Sequence, residues 1–61
     1  MKCKISIDMN NAAFADDPAP ELARILEDLA SRTGRATQDP GDQLQIHDAN
    51  GNHVGTLSIT K

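Results

Sequence analysis

The chain contains no tryptophan and no tyrosine, a single phenylalanine and a single cysteine. One cysteine cannot close an internal disulfide, which excludes the stapled architecture common among very small secreted domains. Nor is there a surplus of positive charge: nine acidic against six basic residues give a net charge of -3, without the basic footprint of a nucleic-acid binder. No apolar run approaches the length of a membrane span. The first residues alternate lysine with apolar side chains, where a signal peptide would carry one continuous apolar block. These absences lead us to expect a cytoplasmic protein that touches neither a membrane nor nucleic acid directly.

With 61 residues the chain is expected to form one domain, 1–61, because a second core could not be filled. Even one core is marginal. Ordering each residue costs roughly 1.5 kcal/mol in conformational entropy, against about 1.5 to 3 kcal/mol for each large apolar side chain fully buried. Folds of this size usually add a disulfide, a metal or a partner subunit, and with one cysteine a homodimer is the expected remedy.

What the chain does have is clear periodicity. From Met1 to Met9 apolar residues occupy every odd position and polar ones every even position, the pattern of a half-buried strand. Cys3, Ile5 and Ile7 are expected to face the core, with Cys3 acting as a small core residue rather than a reactive thiol. Asn10 to Asp17 forms a connection in which Phe14 plugs one end of the core. Leu22, Ile25, Leu26 and Leu29 then repeat at the three-and-four spacing of one helical face. The helix starts between Pro18 and Pro20, where a missing N–H costs nothing, with Asp17 as its cap and Gly34 as a left-handed terminator. Arg35 to Asp42 reads as a loop around Pro40-Gly41. Leu44 and Ile46 resume inward alternation, and Asp48-Ala49-Asn50-Gly51-Asn52 carries the chemistry of a type I turn followed by a glycine bulge. That turn would oppose Asp48 to Asn52 and Ile46 to Val54. Val54 is even, whereas Leu57 and Ile59 are odd, so one extra residue is needed to turn all three inward; a bulge is expected near Gly55 and Thr56. The fold expected is α+β, in the order β-α-β-β: a three-stranded antiparallel sheet of spatial order 1-3-2 with one helix packed on one face, leaving two strand edges open.

Residue patterns that carry chemistry are sparse. His47 and His53 could meet across the hairpin beside Asp48, but a structural metal site needs about four ligands, and two exposed histidines on a sheet are ordinary. The Asp48–Asn52 segment has alternating oxygen ligands, yet it lacks the glycine and acid positions and the flanking helices of a calcium-binding loop. No nucleophile with a spaced base and no phosphate-cradling glycine loop is present. The sequence therefore predicts no enzyme, no cofactor and no metal site. Asp16 and Asp17 beside the prolines fit helix capping and the helix dipole. Together with Glu21, Glu27 and Asp28 they also make the candidate partner-binding surface, since focused negative charge can attract a basic groove.

Two stretches carry a resemblance. Asn11-Ala12-Ala13-Phe14, Asp16-Asp17-Pro18, Glu21-Leu22-Ala23 and Ile25-Leu26, followed later by Asp48, Asn50-Gly51-Asn52 and Val54-Gly55, resemble short uncharacterised proteins encoded by bacteriophages and prophages of proteobacteria. Most of the chain outside Arg35 to Gln43 is covered, although Asn10 stands where that pattern carries an acid. The resemblance implies a small noncatalytic interaction protein in the host cytoplasm, an inhibitor of a bacterial defence system such as CRISPR that occludes a surface of a host protein or defence complex. A small-ligand or metal-binding module formed at a homodimer interface is the alternative, and a structural or genome-maintenance accessory of the phage is a third.

Overall fold

A computed structural model describes residues 1–61, position 36 through its backbone alone. Strand β1 (Lys2–Ile7) leads through a 3-10 turn (Ala12–Phe14) into helix α1 (Pro18–Ala36), followed by strands β2 (Gln43–His47) and β3 (His53–Thr60). The strands form one antiparallel sheet in the order β1-β3-β2, so the expected α+β topology holds. Strand β3 is central because only it is flanked on both sides, and its residues Val54, Leu57 and Ile59 are buried against Ile25, Leu29, Ile46 and Phe14.

The helix begins at Pro18 after Asp17, which has the extended backbone of a capping residue but makes no side-chain hydrogen bond to the first turn. Two prolines near the start lower the number of N–H groups that need a cap. At the other end the expected termination at Gly34 is corrected: the helix runs on to Ala36, and the positive-φ glycines are Gly41 and Gly51. Thr37 ends it instead, its N–H and hydroxyl both reaching the Thr33 carbonyl at 3.2 and 2.7 Å. Asp42 then accepts from the N–H groups of Gln38 and Asp39, both at 3.0 Å, which folds the loop back toward the sheet. These donors hold the Asp39 and Gln38 side of the Asp42 carboxylate and lower its pKa against the opposing effect of burial.

The hairpin turn forms as the residues dictate. The Gly51 N–H donates to the Asp48 carbonyl at 3.0 Å, the Asp48 N–H donates to the Asn52 carbonyl at 2.9 Å, and Gly51 has φ 84°. The bulge lies earlier than expected. Ile46 pairs with Gly55 and His47 with His53, so Val54 is the extra residue, and Ile46 does not oppose it. The reason is steric: Gly55 lies against β1 so closely that a methyl group there would overlap the Ser6 carbonyl oxygen. The one residue without a side chain takes the tight place, and Val54 bulges into the core.

The largest departure concerns the core. Cys3, Ile5 and Ile7 do share the face of Ile59 and Leu57, since Cys3 pairs with Ile59 and Ile5 with Leu57 and directly opposed residues project to one side. Yet Cys3 is exposed, Ile5 is 47% exposed and Leu26 44%, while Leu57 is 2% exposed. The helix packs nearest β2 and the 3-10 turn, so its cover stops short of Cys3 and Ile5, while Ile7 packs half-buried against the core as expected.

Candidate interaction surface

The off-centre helix follows from how its two flanks are built. At 100° per residue, the half-buried Leu22 and the buried Ile25 and Leu29 share one stripe, with Glu21, Arg24, Asp28 and Arg32 along one margin and Ala19, Ala23, Leu26 and Ala30 along the other. The charged margin grips the β2 edge. Arg24 donates to the His47 carbonyl at 3.4 Å and Arg32 to the Gln45 carbonyl at 3.3 Å. The arginines lie eight residues, about 12 Å, apart along the helix and the outward carbonyls about 6.8 Å apart along the strand, a difference that the two long side chains span. Glu21 sits between helix and hairpin, paired with Arg24 at 2.7 Å and accepting the Ala49 N–H at 2.7 Å. The Arg24 hydrogen bond lowers the Glu21 pKa, burial opposes it, and the Ala49 bond adds to it; Arg24 is correspondingly raised by Glu21. Asp28 holds Arg32 at 2.8 Å.

This placement divides the five acidic candidates. Glu21 and Asp28 are engaged in aiming arginines at β2. Asp16 and Asp17 are exposed ahead of the helix, and Glu27 is exposed on its outer surface; the structure does not bring these three together with the paired acids into one cluster around a common centre.

At the hairpin end, Asp48 is buried at 5% exposure. Its Oδ1 accepts the N–H groups of Asn50 and Asn52, each at 2.9 Å, and its Oδ2 accepts from the Asn52 side chain at 3.3 Å. Burial pushes the carboxyl up, but the Asn52, Asn50 and Asn11 donors outweigh it and leave the pKa lowered. Asp48 therefore serves as the internal scaffold of the turn. The His47 and His53 rings meet edge to face with centroids 5.6 Å apart, and His53 Nε2 lies 2.7 Å from the Gln45 side-chain oxygen. No group of three or more metal-ligating side chains gathers among the described residues. Among the described residues no helix is long and apolar enough to cross a membrane.

The other flank is where the structure leaves apolar chemistry unsatisfied. Because the arginine margin lies over β2, Leu26 and its neighbouring alanines lie on the side of β1, where Ile5 and Cys3 on the strand and Leu26 on the helix are all left exposed, an apolar step, with Met1 79% and Met9 37% exposed just outside the strand's two ends. Periodicity alone assigned Ile5 and Leu26 to the core. The signal that would have separated them is the asymmetry of the helix, arginines on one margin and alanines on the other. The chain matches no protein-family model, no curated protein and no solved structure.

Proposed function

We propose that this chain is a noncatalytic protein-interaction domain whose working surface is the apolar step between β1 and the Leu26 flank of the helix, and that it acts by occluding a surface of a bacterial defence complex. The observation that carries the reading is the contrast within one cross-strand pair: Leu57 is 2% exposed and Ile5, directly beside it on the same face, is 47% exposed. A large aliphatic side chain on the core face of a sheet loses about 25 cal/mol for every Å² left in water, and in so small a fold an apolar patch with a polar rim is a natural docking place. The resemblance to phage proteins supports the partner class. The acidic candidates Asp16, Asp17 and Glu27 are a secondary surface that could steer a basic partner, with Glu21 and Asp28 already committed to arginines.

The test is phage plating on bacteria whose CRISPR system targets that phage, with the protein supplied from a plasmid. The expected result is restored plating with the wild-type chain, loss of that effect with Ile5→Lys or Leu26→Lys, and retention with Glu27→Ala. Melting curves establish that each variant folds. Failure of the wild-type chain to relieve interference, or full activity of folded Ile5→Lys, would count against the proposal.

A further inference from the structure

The two edges of the sheet are treated differently by the rest of the fold. Along β2 the outward carbonyls of Gln45 and His47 already receive Arg32 and Arg24, the kind of charged cover that keeps an edge from pairing. Among the described residues, strand β1 has no such cover. The Asp8 N–H donates to the Val54 carbonyl at 2.7 Å, and Ile59 on the central strand directs its N–H and carbonyl to Asp42 and Gly41 on the β2 side. Backbone direction alternates along a strand, so both observations give the same answer. The even residues of β1 bond to β3, and the N–H and C=O groups of Cys3, Ile5 and Ile7 point to the open edge.

We infer that the β1 edge pairs with the β1 edge of a second copy of this chain, antiparallel about a two-fold axis through the Ile5–Ile5 pair, joining two three-stranded sheets into one. Chemistry across the edge selects the register. Pairing must keep odd residues opposite odd ones, or apolar side chains would face polar ones. An axis at Lys4 would set the two copies of Lys4 against each other, and an axis at Cys3 would set Lys2 against Lys4, both like-charge contacts that destabilise a sheet. An axis at Ser6 brings Lys4 opposite Asp8 but shifts the pairing toward the end of the strand and loses ladder bonds. The axis at Ile5 places Lys2 opposite Asp8 and Lys4 opposite Ser6 on the polar face. On the apolar face it sets Ile5 against Ile5, Cys3 against Ile7 and Met1 against Met9. All three outward-directed residues then exchange hydrogen bonds, and the exposed aliphatic groups of β1 acquire partners of their own kind. The two helices, each displaced toward its own β2, remain on one face with a shared apolar floor between them, so the docking surface is completed by the second copy.

The inference is tested on the full chain by sedimentation over a dilution series and by site-directed cross-linking. In the Ile5 register the two copies of residue 5 form a hydrogen-bonded pair with Cα atoms about 5.5 Å apart, within disulfide reach. The two copies of Cys3 are offset by four residues, about 13 Å along the strand, and cannot link. The expected results are a concentration-dependent dimer of the wild-type chain, rapid disulfide formation in Cys3→Ser/Ile5→Cys under mild oxidation, and little in the wild type. Ile5→Pro removes an edge N–H that the monomer does not use, which an edge strand tolerates, and should sediment as a folded monomer. A wild-type monomer throughout the series, or wild-type linkage through Cys3 as fast as linkage through residue 5, would overturn the inference. Because mass and cross-linking need no partner, a wild-type chain that stays monomeric while still restoring phage plating would refute the pairing and leave the defence reading standing.

Discussion

Replacing Gly55 with alanine puts one methyl group into the tightest contact of the sheet. The added carbon would overlap the Ser6 carbonyl oxygen and lie 2.9 Å from the Ser6 carbonyl carbon and 3.0 Å from Ile7 Cα. All three are backbone atoms, so no side chain can rotate away; β1 must separate from β3 just where the bulge begins. Overpacking a methylene where neighbours can shift costs about 1 to 3 kcal/mol. Here the yielding element is a strand held by its ladder, so the upper part of that range or beyond is expected. A single core of this size rarely supplies more than about 3 to 5 kcal/mol in total. Gly55→Ala should therefore be largely unfolded at 25 °C, with far-UV circular dichroism near the denatured baseline before urea is added. Chemical-shift dispersion in an amide correlation spectrum checks the same point without a fitted model. An unfolding midpoint within error of the wild type would refute the steric argument and with it the placement of the bulge at Val54 and Gly55.

Three further substitutions probe separate links. Gly34→Ala places a methyl in open space within the helix and should stabilise the protein by about 0.5 to 1 kcal/mol, read as a higher urea midpoint; a loss would contradict the helix continuing past that residue. Gly51→Ala forces a side chain into φ 84° and should cost about 1 to 2 kcal/mol by the same measurement. The lowered pKa values of Asp48, Glu21 and Asp42, from ordinary values of 3.8, 4.5 and 3.8, mean that these carboxylates stabilise the fold fully above their unfolded-state pKa and lose that contribution as pH falls through the lower native values. The melting temperature should thus hold down to about pH 5 and fall below about pH 4; Asp48→Asn should melt lower at pH 7 but lose less between pH 5 and pH 3.

How far the sequence disclosed this structure depends on which physical effect decides each position. Alternation in β1 and β3 and the spacing of Leu22, Ile25 and Leu29 are dictated by geometry internal to each element, and those elements appear where the periodicity puts them. The Asp48–Asn52 turn was equally legible, because carboxylate acceptor and left-handed glycine occupy the positions that local chemistry requires. The helix end was not: Gly34 offers a terminator, but Thr37 and Asp42 supply better partners for the last carbonyl and the following N–H groups. Burial of Ile5 and Leu26 was misjudged because periodicity reports which face a residue occupies and not how far the covering layer reaches. Of the acidic candidates, Glu21 and Asp28 have structural tasks that become visible only when Arg24 and Arg32 are seen against β2. The apolar step was not legible as a site, since each of its residues reads singly as ordinary core.

The arginine grip on β2 implies a last result, reached by removing it. Arg24→Ala/Arg32→Ala withdraws the donors from the Gln45 and His47 carbonyls while leaving the buried stripe untouched, because both guanidiniums lie outside the core. Each carbonyl bond is long and the exposed Arg32–Asp28 pair contributes about 0 to 1 kcal/mol; the largely buried Glu21 carboxylate loses Arg24 but keeps the Ala49 N–H, so the double variant should lose some stability and remain folded. What changes is the number of edges free to pair. With only β1 open, association closes at two copies, whereas with β1 and β2 both open each copy offers a second surface and growth has no end point. The double variant should scatter light increasingly with concentration and time and bind an amyloid-type dye, with circular dichroism at low concentration unchanged. If it keeps the parent's mass across the same dilution series, the arginines are not guards of that edge, and the choice of β1 over β2 as the pairing edge loses its physical basis.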